Sequence, residues 1–301
     1  MAADDTLIGW QHFPALDEAT LAALRRAIDN GFRQFTRSHG EALEAFFDPL
    51  RVALGAFETL LTQSPWPLVL LALAAVAWWA SRSAVVVAGT LLTLLVIGVF
   101  GMWIDTMQTL AMVAVSTLLA VAIGLPIGIA MSRSNRLQRG LNPLLDMLQT
   151  LPSFVYLIPV VMLLGIGRVP GLLAVVVYAV APMIRLTNLG LREVSAESME
   201  AADAFGSSAW QRLWWVQLPL ALPTLMAGVN QTIMMSLSMV VVASMIGVQG
   251  LGQPVLKAIA NQYFAMGLLN GLAIVGIALV FDRVSQALGR RLQRHRQAAN
   301  G

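Results

Sequence analysis

The side chains able to do chemistry are few in this chain, and they gather in one place. The stretch "EAADAFGSSAWQRLWWVQLPLALP", residues 200–223, holds Glu200, Asp203, Ser207, Ser208 and Arg212 inside a sequence that is otherwise largely hydrocarbon. A catalytic reading finds little support there. The chain has no cysteine, and His12, His39 and His295 all lie outside the apolar segments. No H-E-x-x-H occurs, and no two acids pair inside an apolar helix, so no metal centre is expected. "GVQGLGQ" (247–253) carries glycines but has no strand before it and no Lys-Ser/Thr after it. It reads as a turn rather than a phosphate loop. The remaining chemistry is recognition: a polar surface suited to being gripped by a partner or, alternatively, to lying at the membrane interface without one.

Local rules give that surface a shape. A connector between two helices needs only about four to six residues, yet the polar region runs from Arg192 to Pro219. "SAESMEAADAF" favours helix, with acids in its first turns where the helix dipole favours them. Gly206 follows and can supply the left-handed residue that stops a helix. Ser208 and Gln211 form an S-x-x-Q capping box for a second helix, "AWQRLWWVQ". That helix is expected to end before Pro219, because the residue before proline avoids the helical region. Ala201, Ala202 and Ala204 keep the surface low, and Trp210, Trp214 and Trp215 suit a membrane interface. The result is a helix–glycine–helix knob.

The elements that must carry this knob are membrane helices. Hydrophobic residues make up 57% of the 301, and charged residues only 12%, roughly half the share in a soluble domain. Mean hydropathy is +0.73. A span needs about 20 apolar residues, and seven segments qualify or nearly so: 65–81, 84–104, 107–131, 148–167, 170–190, 220–247 and 267–288. Pro152 and Pro159 are expected to kink the fourth, and "GIGRVPG" (165–171) is a tight turn.

Orientation follows from the arginines. One set of connections holds Arg82, then Arg133, Arg136 and Arg139, then Arg192 and Arg212, then Arg290, Arg291, Arg294 and Arg296. The other set holds only Arg168 and Lys257 beyond the N-terminal region. The first set, the knob and the basic tail 290–301 are therefore expected in the cytoplasm, and the N-terminus outside it. Residues 1–20 lack the apolar stretch of a signal peptide. Residues 1–64 hold nine acids and five arginines, a net of −4. Leu21, Leu24, Ile28, Phe32 and Phe35, then Leu43, Phe47, Leu50, Leu54, Phe57 and Leu61, recur at helical spacing. They read as amphipathic helices on the membrane surface or on the helical core, with a partner-binding or regulatory role as the alternative.

Glu200-Ala201-Ala202, three residues, Gly206, nine residues, then Val216-x-Leu218-Pro219 resembles the EAA motif of ABC importer permeases, with only Val216 departing from its usual isoleucine. "LPSFVYLIPVVMLLGIGRVPG", "APMIRLTNLGLREV", "QLPLALPTLMAGVNQTIMMSLSMVVVASMIGVQGLGQ" and "DRVSQALGR" are similar to the permeases of glycine betaine/proline uptake systems, over roughly residues 45–290. The resemblance implies an all-α polytopic fold: an amphipathic region 1–64, two peripheral spans in 65–104, and a type I permease core in 105–289 with its coupling loop at 192–219. It implies a bacterial inner-membrane protein importing a small quaternary-ammonium osmoprotectant. Related permeases carry choline or trimethylamine N-oxide, so these stay open. It also implies partners: a second copy of this chain, a dimer of ATPase subunits holding ATP and magnesium, and a periplasmic binding protein. No cofactor in this chain, no nucleic acid and no ATP hydrolysis by the chain itself are expected. Coupling is implied for Glu200, Ala201, Ala202, Asp203, Gly206, Ser208, Leu218 and Pro219.

An ion-coupled secondary transporter is the rival reading. Such carriers place an ionisable group within the membrane, whereas Asp105, Asp146, Asp282 and Arg185 are expected at helix ends. For the translocation path, Asn230, Ser236 and Ser238 could hydrate a zwitterion or bond neighbouring helices. Phe154, Tyr156 and Tyr178 offer aromatic faces to a quaternary ammonium.

Overall fold

The computed structural model describes residues 16–297, with side chains as far as Leu292. The first fifteen residues, with His12, and the last four lie outside that range. So do the side chains of Arg294, His295 and Arg296. Among the described residues the chain is helical throughout.

The N-terminal region is one helix, α1 (Glu18–Gln63, 46 residues), rather than two. Asp17 caps it, its carboxylate accepting from the Thr20 amide at 3.1 Å. Gly40 sits where the two apolar patterns meet. A mid-helix glycine costs only about 1 kcal/mol against alanine, and the good helix formers Glu41, Ala42, Leu43 and Glu44 follow it. The chain divides into two compact units at Phe46/Phe47, within α1. In the first unit, Leu24, Ile28 and Phe35 of the predicted apolar stripe are exposed. In the second, Leu54 is buried as expected, and so is Glu58, which periodicity did not mark.

The rest of the second unit is a membrane bundle. After α2 (Trp66–Ser81) and α3 (Ala84–Val99) come α4 (Trp103–Arg133) and α5 (Asn135–Thr150). A 3₁₀ turn (Ser153–Tyr156) leads to the short α6 (Leu157–Leu164), and α7 (Arg168–Arg192) follows. The knob opens with α8 (Ala196–Ala204). Beyond it lie α9 (Leu222–Ala243), α10 (Gly252–Asn261) and α11 (Phe264–Gln297).

Among the described residues, four helical stretches are long and apolar enough to cross a membrane: Trp103–Arg133, Arg168–Arg192, Leu222–Ile246 and Phe264–Leu292. The number rises to six if each of two bent helix pairs counts as a span. The second predicted segment, 84–104, is shorter than expected: α3 has 16 residues, roughly 24 Å against a hydrocarbon core of about 30 Å. The fourth, 148–167, is not a continuous helix. The chain bends by 111° between α5 and the Ser153–Leu164 stretch, because Pro152 drives Leu151 into extended backbone (ψ 133). Residues 135–147, outside every predicted span, form most of α5.

α7 is the centre of the bundle, packed between α4 and α9, with α11 behind α9. The apolar window of α7 is 67% buried, against 17% for α11. Close approach of α4 to α7 rests on small residues one turn apart. A Cβ on Gly124 would lie 2.8 Å from Met183 Cβ, and one on Gly128 2.5 Å from Thr187 Cβ. Without a hydrophobic force between helices in lipid, such backbone proximity supplies the packing.

Candidate functional site: the knob between α7 and α9

The knob folds as local rules dictate at its centre and departs from them at its exit. Ser195 caps α8, its hydroxyl accepting from the Ser198 amide. At the other end Gly206 takes φ +72. The Ser207 amide donates to Ala202 O (3.0 Å) and the Gly206 amide to Asp203 O (2.9 Å). This pair of bonds is a Schellman motif, which satisfies carbonyls that the helix end leaves orphaned. Ser208 and Gln211 make the capping box: Gln211 N to Ser208 Oγ at 3.3 Å, Ser208 N to Gln211 Oε1 at 2.8 Å.

The predicted second helix is not a plain α-helix. A single α turn (Ala209–Gln211) passes into a π-helix (Arg212–Gln217), then into another α turn (Leu218–Leu220). Pro219 lies inside this helical run and does not end it. Leu218 stays αR (φ −55, ψ −43), and the ladder resumes with Ala221 N donating to Gln217 O at 2.8 Å. The wider π winding precedes a proline whose missing N–H can make neither an i−4 nor an i−5 bond.

The knob presents a defined face. Glu200, Ala201, Asp203, Gly206 and Ser208 are exposed, whereas Ala202 is buried. Phe205, at the tip before Gly206, is 90% exposed. Trp210, Trp214 and Trp215 are exposed too, with Trp210 and Trp214 edge to face at 5.6 Å. Leu213 is the anchor: it is buried in a cluster with Met183, Leu191, Ala221 and Leu225, and Leu218 packs against that cluster. Asp203 and Arg212 pair across the knob, tying α8 to the return arm.

Two arginines that sequence reasoning took only as markers of orientation hold the knob's base. Arg192 donates to Asn188 Oδ1 (2.9 Å), to Asn135 Oδ1 (2.8 Å) and to Met131 O (3.0 Å). One guanidinium thereby joins the last turns of α4 and α7 to the first turn of α5. Arg133 donates to Ala209 O on the return arm at 3.4 Å. Arg185 is not at a helix end: it lies two turns inside α7 and pairs with Asp146 of α5. Asp282 is likewise inside α11, which runs past the predicted boundary at 288.

The six candidate path residues separate. Asn230 donates to Asp282 Oδ1 (3.0 Å) and accepts from Ser285 Oγ (2.6 Å), joining α9 to α11. Ser236 is fully buried and accepts from Thr117 Oγ1 at 3.3 Å. The Tyr156 hydroxyl donates to Leu148 O, and its ring stands edge-on to Tyr178 at 5.6 Å. Ser238, on α9, and Phe154 are exposed.

The geometry is that of a bundle of apolar helices carrying a polar, helix-capped knob between two central spans. Residues 120–294 match the family described as binding-protein-dependent transport system inner membrane component. The chain is 44% identical over 282 residues to the glycine betaine/proline betaine transport system permease protein ProW of Escherichia coli, covering 93% of this chain and 79% of that one. It is 41% identical to the glycine betaine/carnitine transport permease protein GbuB of Listeria monocytogenes, covering 92% and 98%. A trimethylamine N-oxide permease of Ruegeria pomeroyi matches at 38% over 77% of this chain and 35% of its own length. Among solved structures, a chain of the MetNI methionine ABC transporter in an inward-facing form is similar in fold, with TM-score 0.57, 22% identity and 62% of this chain covered. The protein belongs to this family: it is a multi-pass inner-membrane permease of an ABC importer.

Proposed function

We propose that this permease imports glycine betaine or proline betaine, working as two copies with two ATPase subunits and a periplasmic binding protein. The observation that carries the reading is the 44% identity to a glycine betaine/proline betaine permease across 93% of the chain. Identity and coverage are lower against the trimethylamine N-oxide permease and against a glycine betaine/carnitine/choline permease, 29% over 59% of the chain. ATP and magnesium belong to the partner subunit. The knob faces the cytoplasm and docks on that subunit through Glu200, Ala201, Asp203, Phe205 and Gly206, with Ala202, Ser208, Leu218 and Pro219 shaping it. The N-terminal region faces the periplasm, as the asymmetry of arginines supports.

The path runs along the exposed side of α9, past Ser238, with Phe154 and Tyr178 offering aromatic faces to the quaternary ammonium. Asn230 and Ser236 serve helix packing beside it. The test is titration of the binding protein encoded beside this permease with glycine betaine, proline betaine, choline and trimethylamine N-oxide, followed by uptake in liposomes. Tight binding of choline alone would replace the betaine assignment.

A further inference from the structure

At the end of α7 farthest from the knob, roughly 37 Å away, four polar side chains from four segments form one chain. Glu58 of α1 is only 8% exposed. Its carboxylate faces Arg168 Nη1, at the start of α7, at 3.0 Å. The other arm of the same guanidinium donates to Gln249 Oε1 at 2.8 Å. Gln108 Nε2, near the start of α4, donates to that same oxygen at 2.9 Å. Gln249 stands in the loop that continues α9 towards α10. The loop is fixed at further points: Leu251 N donates to Thr109 Oγ1 at 3.0 Å, and Gly167 N to Ile246 O at 3.0 Å. Gln253 Nε2 reaches Ser244 O (2.7 Å) and Val248 O (3.1 Å).

The arrangement is asymmetric in a telling way. Arg168 keeps 43% of its side chain in contact with solvent, whereas the Glu58 side chain keeps 11%. Leu54, one turn before Glu58, is packed at 1% exposure, so an apolar residue at 58 would suit that face of α1. A half-buried ion pair of this kind is weak support for stability, because desolvation of the carboxylate offsets the attraction. The planar fork of arginine allows one residue to hold two acceptors at set angles, which a lysine cannot.

We infer that Arg168 is a positioning residue for the outer end of the transport path, bracing the 247–251 loop of α9 against α1 and α4. The inference rests on the permease reading. It makes the end of α1 a working part of the importer: α1, the start of α4, the start of α7 and the exit loop of α9 move as one block when the outer end opens and closes. A loosened block lets the ATPase cycle without moving α9 in step.

The test uses the complete importer, with its ATPase subunits and binding protein, in liposomes with radiolabelled glycine betaine. Gln249→Ala removes the node, is exposed, and leaves the Glu58–Arg168 pair intact, so folding is not at stake. Both Q249A and R168Q are expected to copurify the ATPase at parental levels and to hydrolyse ATP. Substrate moved per ATP should fall roughly fivefold or more. Hydrogen exchange at the Leu251 amide should speed by roughly tenfold. R168K should fall between, and E58Q, which still offers Arg168 an acceptor, should lose least. Parental transport per ATP in Q249A and R168Q, with parental exchange at Leu251, would overturn the role. If the parent complex shows no ATP-dependent uptake, the permease reading fails by itself, and exchange at Leu251 in R168Q still decides whether the brace exists.

Discussion

Substituting Gly206 tests the proposed coupling role of the knob separately from the integrity of the membrane core. Gly206 has φ +72, and a Cβ built there meets nothing within 4 Å. The cost of alanine is therefore backbone strain alone, about 1–2 kcal/mol. That strain falls on the two Schellman bonds, from Gly206 N to Asp203 O and from Ser207 N to Ala202 O. It does not reach Leu213, whose burial with Met183 and Leu191 holds the return arm to the core. At 1.4 kcal/mol per tenfold, Gly206→Ala should weaken ATPase association by roughly 5- to 30-fold. Gly206→Leu should be worse, because its branched side chain also projects from the docking face beside Phe205. Gly206→Asn should lose least, since asparagine tolerates the left-handed region. The assay is copurification of the ATPase subunit at graded concentrations, with uptake measured on the same preparations and membrane insertion as the control. If Gly206→Leu binds the ATPase and transports like the parent, the coupling role of residues 200–219 is wrong. If Gly206→Asn fails as badly as Gly206→Leu, the backbone explanation is wrong.

Four further outcomes are expected. Glu200 is the fifth residue of α8, past the first turn where the dipole acts; Glu200→Ala should leave thermal stability unchanged, so lost uptake would report a contact with the ATPase, and unimpaired uptake would remove Glu200 from the interface. The chain has no cysteine, so a single cysteine at Ser207 should react with an impermeant maleimide only from the cytoplasmic side; labelling of intact cells from outside would reverse the topology. Uptake should require ATP hydrolysis by the partner, and accumulation driven by a proton or sodium gradient alone would return the protein to the secondary carriers. Gly128→Val would set a Cβ 2.5 Å from Thr187 Cβ and 2.8 Å from Ile184 O, an overpacking that should cost about 1–3 kcal/mol and lower the melting temperature in detergent; an unchanged melting temperature would show that α4 and α7 do not need this approach.

The parts of the fold that were legible in the sequence are those set by neighbours along the chain. Gly206, the Ser208–Gln211 capping box and the long apolar runs of α4, α7 and α9 each obey a rule that spans a few residues or one period. α5 escaped because its arginines and Asn135 resemble a cytoplasmic loop, although its apolar residues lie along one face. Pro219 does not end the helix because Leu218 before it stays αR, a conformation that the rule for residues preceding proline disfavours without forbidding. "GLPIG" (124–128) carried a readable small-xxx-small signal for the α4–α7 contact. The Glu58–Arg168 pair joins residues 110 apart, and Asn230 meets Asp282 across 52. No local pattern announces such partners, so Asn230 looked equally suited to the path and to packing. Folding alone brought the two ends together.

Arg192 gives the knob's attachment a property that none of its bonds has separately. Its three acceptors belong to three segments, the ends of α4 and α7 and the beginning of α5, so the knob's base is tied to all of them through one planar group. The joint is also redundant on the acceptor side. Losing the Asn135 or the Asn188 amide leaves two spokes, including a backbone carbonyl that no substitution at Met131 can delete. Either asparagine can be lost with two of the bonds kept, whereas loss of Arg192 removes all three together.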